Sequence, residues 1–252
     1  MRNAWNKIWR PAVVLLLLLI IWQISVTFFQ IEEWLLPSPL SIGREALTSW
    51  ESFSLHLLST TKLSLYGFLI GTAVGLVIAI TLHRVTFLRK AIYPLLILTQ
   101  NIPIIVLAPL LIIWFGFGLL PKLIIITLVC FFPITIACLD GFMQTPAELK
   151  HYMKMSGANS RQLFWKLEWP FSLPSIFSGL KISATYSVMG AVISEWLGAK
   201  SGVGVYMNLA SSSFRTDRVF VAIFAIMILS LLFFFIIQLL EKWFVHRKGR
   251  SV

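Results

Sequence analysis

Glu195 is the residue in this sequence best able to do chemistry where it stands. It lies at the end of a long apolar run, in Ser194-Glu195-Trp196-Leu197, where an ionisable group is costly and marks a functional position by default. It can bind a polar ligand, form part of a gate at that end of the run, or pair with Lys200. A structural ion pair fits the residues as well as a ligand role does. The apolar runs offer no second carboxylate beside it, no nucleophile–base pair and no zinc set, so an intramembrane hydrolase lacks its machinery. His56, His83, His151 and His246 stand singly, without metal-ligand spacing. Cys130 and Cys138 fall on one helix about 12 Å apart, too far for a disulfide. No Gly-x-x-x-x-Gly-Lys-Ser/Thr phosphate loop is present, so nucleotide hydrolysis has no seat here.

A second polar set is Gln100-Asn101, framed by Pro94, Pro103 and Pro109. Proline removes backbone donors and kinks a helix. At membrane depth a broken helix is tolerated where it is buried in protein or lines a wet cavity. The pattern therefore reads either as a solute path or as a kinked packing helix whose amides bond neighbouring backbone. Trp114, Tyr186 and Ser194 join Gln100, Asn101 and Glu195 as candidates to line such a path. Gly67, Gly71 and Gly75, at four-residue spacing, form a smooth stripe for close helix packing. Lys181, inside a span, is expected to snorkel.

The elements that must position these residues are membrane helices. Of the 252 residues 58% are hydrophobic and only 12% charged, against about a quarter charged in soluble domains. The apolar residues come in long blocks, which predicts an all-α, polytopic membrane protein. It is expected to form one transmembrane unit over residues 1–252, with its core at about 50–245. Six spans are predicted: Ala12 to Phe29, Leu55 to Leu82, Ile92 to Trp114, Leu119 to Leu139, Pro174 to Leu197 and Val219 to Trp243, each long enough for a hydrocarbon layer of roughly 30 Å. Arg2, Lys7 and Arg10 precede the first span, but no small-residue cleavage site follows, so it is expected to be retained rather than removed as a signal peptide. The net charge of +11 comes from basic residues flanking the spans. With the N-terminus inside, fourteen Lys and Arg fall on the inner side and six on the outer, which predicts both termini in the cytoplasm. Trp5, Trp9, Trp34, Trp114, Trp196 and Trp243 sit near span ends, as an interfacial aromatic belt requires.

The most informative stretch is the inner loop at about 140–172. Thr145-Pro146-Ala147-Glu148 reads as a helix start, with Thr145 as cap and Glu148 reaching back to it. Leu149, Tyr152, Met153 and Ser156 share one helical face. Gly157 supplies the positive φ that ends a helix. Asn159 or Ser160 starts a second helix, Arg161 to Trp169, which Pro170 is expected to stop. This helix–glycine–helix hairpin either docks a cytoplasmic protein or lies on anionic lipid, which its lysines also favour.

The loop resembles the signature loop of bacterial ABC importer permeases: Glu-Ala-Ala, three residues, Gly, nine residues, Ile-x-Leu-Pro. His151, Tyr152 and Met153 occupy the triplet, Gly157 the glycine, and Leu167-Glu168-Trp169-Pro170 the end. The triplet itself departs from the pattern, and Trp169 replaces leucine. Three more segments are similar to the nitrate, taurine, alkanesulfonate and thiamine-pyrimidine-precursor branch of that family: Trp34-Leu-Leu-Pro-Ser-Pro39, Ile112-Ile-Trp-Phe-Gly-Phe-Gly118, and Ser194-Glu195-Trp-Leu-Gly-Ala-Lys-Ser-Gly202-Val-Gly204.

The resemblance implies a type I ABC importer permease in a bacterial inner membrane. The loop is then the coupling helix, with Glu148, His151, Tyr152, Met153, Ser156, Gly157 and Ala158 meeting the ATPase. Two ATPase subunits, which hold ATP and Mg, a second permease copy and an external binding protein or lipoprotein complete the system. The chain binds no cofactor or nucleic acid and is no enzyme. The cargo is a small polar solute, with a thiamine-pyrimidine precursor preferred over sulfonate, taurine or nitrate, since no strongly basic pocket is visible. An ion-coupled carrier working alone is the rival from another class. It would show internal repeats and intramembrane carboxylates, and no convincing repeat is found.

Overall fold

In the computed structural model residues 2–246 are described, with side chains from Trp9 to Val245. The basic residues expected before Ala12 and after Trp243, apart from Arg10, therefore lie outside the described side chains, as does Trp5. Every regular element is helical: α1 Arg2–Phe28, α2 Pro39–Thr48, α3 Trp50–Arg84, α4 Thr86–Thr99, α5 Ile104–Phe115, α6 Leu119–Met143, α7 Ala147–Met155, α8 Ser160–Leu163, a π-turn Phe164–Glu168, α9 Trp169–Glu195, α10 Val203–Ser212 and α11 Thr216–His246.

Among the described residues five stretches are long and apolar enough to cross a membrane: Trp9–Phe28, α3, α6, Ser160–Glu195 and Thr216–Val245. They agree with five of the six expected spans. The third differs: α4 and α5 meet at 100° and reach span length only together. The cause is local. Gln100, Asn101 and Ile102 turn back on Ile97, Leu98 and Thr99, and Pro103, which has no N–H to donate, holds an extended backbone at φ −60°, ψ 123° before α5. The bent pair still joins the two ends of the bundle. Thr86 follows α3 at one end, and the Phe117 ring packs against Gly198 at the other.

The core is α3, α6 and α9, with α11 alongside. Between membrane helices the drive is close van der Waals packing rather than water exclusion, and small residues make it possible. A Cβ at Gly71 would stand 2.6 Å from Cys130 Cβ, and one at Gly75 2.8 Å from the Phe131 carbonyl. Gly67 is as tightly closed by Ile126. The stripe read from the sequence is thus the α3–α6 seam. Buried hydroxyls add bonds between helices: Ser183 Oγ donates to Cys130 O (2.8 Å) and Thr135 Oγ1 lies 3.2 Å from Gly75 O. Both cysteines are free and buried.

Lys181 does not snorkel. Its Nζ is 2.9 Å from Glu241 Oε2, an ion pair between α9 and α11. Two short helices, α2 and α10, went unforeseen. The signal for α2 is present, since Ser38 caps it by accepting from Ser41 N, with Pro39 in the first turn. At the same end Glu45 of α2 meets Arg218 Nε at 2.7 Å and Arg215 at 3.0 Å. The hydrogen bond to Asp217, with Glu45 beside it, raises the Arg215 pKa above its ordinary range.

Candidate functional site

Two clusters, one at each end of the bundle, carry the polar chemistry. At the hairpin end the expected helix–glycine–helix is present. α7 ends at Met155, Gly157 turns at φ +82°, and Asn159 forms a capping box with Gln162. Two details differ from expectation. Thr145 does not cap α7: its hydroxyl is buried with no partner among the described residues, because Pro146 takes the cap position. Nor does Pro170 end the second limb. The helix widens into the π-turn, where Trp169 N bonds five residues back to Phe164 O. Pro170 then falls in the first turn of α9, and the limb runs on into that helix.

The hairpin is fastened at its base. Glu168, nearly buried, accepts from Lys150 Nζ at 2.8 Å with one oxygen, and its other oxygen lies 2.9 Å from His83 Nε2. One carboxylate thereby ties α7, the start of α9 and the end of α3. Lys150 also reaches Phe142 O of α6 at 3.4 Å. Around the carboxylate His83, Phe142, Phe164 and Trp169 stack with centroids 4.8–6.2 Å apart. Glu168 was not singled out in the sequence, because neither His83 nor Lys150 stands near it there. In contrast α7 has no buried residue. Glu148, His151, Tyr152 and Ser156 are exposed together with Gly157, while Met153 and Ala158 are half-buried. Tyr152 is 71% and Met155 76% exposed, with Leu149 beside them. A rigid base carrying a bare apolar face can receive another protein and pass a displacement to three membrane helices at once.

At the far end Glu195 is 1% exposed and does not pair with Lys200. Its carboxylate accepts from Thr60 Oγ1, at 2.8 and 3.0 Å to its two oxygens, and from Gly204 N at 2.8 Å. Val203 N donates to Thr60 Oγ1 at 2.7 Å. The first amides of α10 are thus satisfied from outside, since the residue at its N-cap, Gly202, has no side chain. A Cβ on Gly202 would run into the Glu195 carboxylate. His56 Nδ1 lies 3.0 Å from Gly202 O and 3.1 Å from Gly202 N, and Ser59 Oγ is 3.0 Å from Ser201 Oγ. One face of α3 thereby clamps the loop before α10.

The remaining path candidates do not converge within the chain. Gln100 lines a cavity of about 320 Å³ at the α4–α5 bend with Thr99, Pro103, Leu107 and Phe131. Asn101 turns back toward Ile97 O. Trp114 is exposed on α5. Ser194 is buried and donates to Ala191 O of its own helix. Tyr186 lies on the one exposed seam of α9 with Ser178, Ile182 and Met189.

A multi-span helical bundle with a fastened, bare-faced hairpin is a membrane protein with a surface fit to receive a partner. The chain belongs to the family described as binding-protein-dependent transport system inner membrane component, whose model matches residues 71–246. It is 35% identical over 233 residues to the formylaminopyrimidine transport permease protein ThiX of Halalkalibacterium halodurans, covering 92% of this chain and 93% of that one. It is 35% identical to the riboflavin transport system permease protein RibX of Chloroflexus aurantiacus, covering 97% and 92%. It is 29% identical to the putative aliphatic sulfonates transport permease protein SsuC of Bacillus subtilis, covering 96% and 87%. The chain is therefore the multi-pass inner-membrane permease of an ABC importer. ATP is bound by a partner ATPase, a binding protein belongs to the same system, and the permease is not itself catalytic.

Proposed function

We propose that this permease imports a small heteroaromatic solute of the formylaminopyrimidine kind, working as a homodimer with both termini cytoplasmic. The observation that carries the force-transmission reading is the hairpin whose bare α7 face stands on a base locked by Glu168, Lys150 and His83. Glu148, His151, Tyr152, Met153, Ser156, Gly157 and Ala158 meet the ATPase. Closure of the ATPases moves α7, and the Glu168 base passes the motion to α3, α6 and α9 as a rigid-body change. The exposed α9 seam through Tyr186 faces the second copy across the path, and Asn101 and the wall of the cavity at Gln100 belong to that path. Glu195 and Thr60 hold the outer gate shut by clamping α10. The basic excess on the hairpin side supports the orientation, and the whole described chain forms one permease unit.

The pyrimidine preference is supported by similarity to the formylaminopyrimidine and riboflavin permeases at 35% identity, above that to the sulfonate and taurine permeases. Formylaminopyrimidine and riboflavin, in the names of those two relatives, are both nitrogen heterocycles. The test is uptake into vesicles holding this permease, its ATPase and its binding protein. Labelled formylaminopyrimidine should accumulate only with internal ATP, ahead of taurine. Gln100→Ala and Glu195→Gln should each depress uptake. Unchanged uptake and substrate-stimulated ATPase in both variants would refute the path assignment, and taurine accumulating first would refute the cargo.

A further inference from the structure

Beside the hairpin base, with His83 and Glu168 in its wall, lies a cleft whose arginines the force-transmission reading does not use. It measures about 730 Å³ and is lined by His83 and Arg84 at the end of α3 and by Ser160, Arg161, Phe164, Trp165 and Glu168 on the second limb, with Leu163. None of its walls comes from α7, so it is separate from the bare docking face. Its charge balance is positive. Both Glu168 oxygens are already engaged, one by Lys150 and the other by His83. Arg84 and Arg161 pair with no carboxylate among the described residues. The Arg84 guanidinium is held over the Phe164 ring, 4.9 Å from its centroid, which fixes its direction without neutralising it. The His83 ring, whose Nε2 lies 2.9 Å from Glu168 Oε2, forms part of the wall beside the arginines. Trp165 is half-exposed at the rim, at the end of a span, where an indole with one apolar and one wet edge marks headgroup depth.

We propose that this cleft binds a phosphate oxyanion, carried by an anionic phospholipid headgroup of the inner leaflet and held by Arg84 and Arg161. Two guanidiniums match phosphate oxygens in fork geometry. Basic pockets between spans on the cytoplasmic side are where such headgroups are available. The bound lipid braces the end of α3 against the second limb, next to the Glu168 tie. The proposal rests on the cytoplasmic placement of the hairpin, which cysteine labelling of the hairpin tests by itself.

The test is native mass spectrometry of the full chain with its ATPase, released from mixed phosphatidylglycerol and phosphatidylcholine. The wild type should retain phosphatidylglycerol over phosphatidylcholine. Arg84→Gln/Arg161→Gln, both at exposed positions, should lower that retention roughly tenfold or more. Arg89→Gln/Lys90→Gln, which removes the same charge outside the cleft, should leave it unchanged. If inorganic phosphate binds the lipid-free complex and needs the same two arginines, the oxyanion site stands and its source is the free ion. Equal loss in both double variants would overturn the proposal in favour of a diffuse basic surface. So would retention by the isolated permease that vanishes when the ATPase binds, since the cleft would then be covered by a protein partner.

Discussion

At the scale of single residues, Glu195 shows how a buried charge becomes tolerable. The carboxylate sits where α10 exposes its first amides, and Gly204 N and the Thr60 hydroxyl satisfy it. The sequence marks Glu195 because charge in an apolar run is rare. It does not mark Thr60, 135 residues away, since a threonine in a membrane helix is ordinary. Gly202 is the third member: its φ is +131° and a side chain there meets the carboxylate. Gly202→Ala should therefore destabilise the far end by roughly 1–3 kcal/mol, read as a lower unfolding temperature in detergent. An unchanged temperature would mean that the clamp has slack which the structure does not show. Lys181 teaches the same lesson. It was expected to reach for the interface, yet its partner Glu241 lies 60 residues on.

At the scale of elements, periodicity and caps made five spans and the hairpin legible, because lipid imposes long apolar runs and Gly157 allows one kind of turn. They could not give the 100° angle between α4 and α5, which depends on how three turn residues stack above Pro103. They could not show the π-turn that carries the second limb past Pro170 into α9. α10, Val203–Ser212, has Gly202 at its N-cap and no side-chain cap of its own, so it carries no local start signal. The Lys181–Glu241 pair joins α9 to α11 at partial burial. Lys181→Met should cost roughly 1–3 kcal/mol by stranding the carboxylate, while Lys181→Met/Glu241→Leu should recover most of it. Thermal unfolding of the three variants measures the coupling, and additive losses would show that the pair is incidental. Glu168 joins three elements. Glu168→Gln keeps the size but not the charge that holds Lys150. It should leave basal ATPase activity nearly intact while lowering solute uptake at least severalfold. Uptake and ATPase falling in parallel would instead mark a folding defect.

At the scale of the whole molecule, the two clusters lie at opposite ends of α3 and α9, whose lengths of 35 and 27 residues span the bilayer. The same two helices thus connect the Glu168 base with the Glu195–Thr60 clamp, and the proposed mechanism uses that connection. The transport role rests on the family to which the chain belongs, and that continuity offers the role a mechanical route. The most direct test places a cysteine at Tyr152, on the bare face of α7. The native Cys130 and Cys138 are buried and will not compete. With Tyr152→Cys in the assembled transporter, a short crosslinker should join this chain to the ATPase, with a yield that changes when ATP is added. Labelling of the introduced thiol by a membrane-impermeant reagent from outside intact cells, with no crosslink to the ATPase in any nucleotide state, would contradict the account.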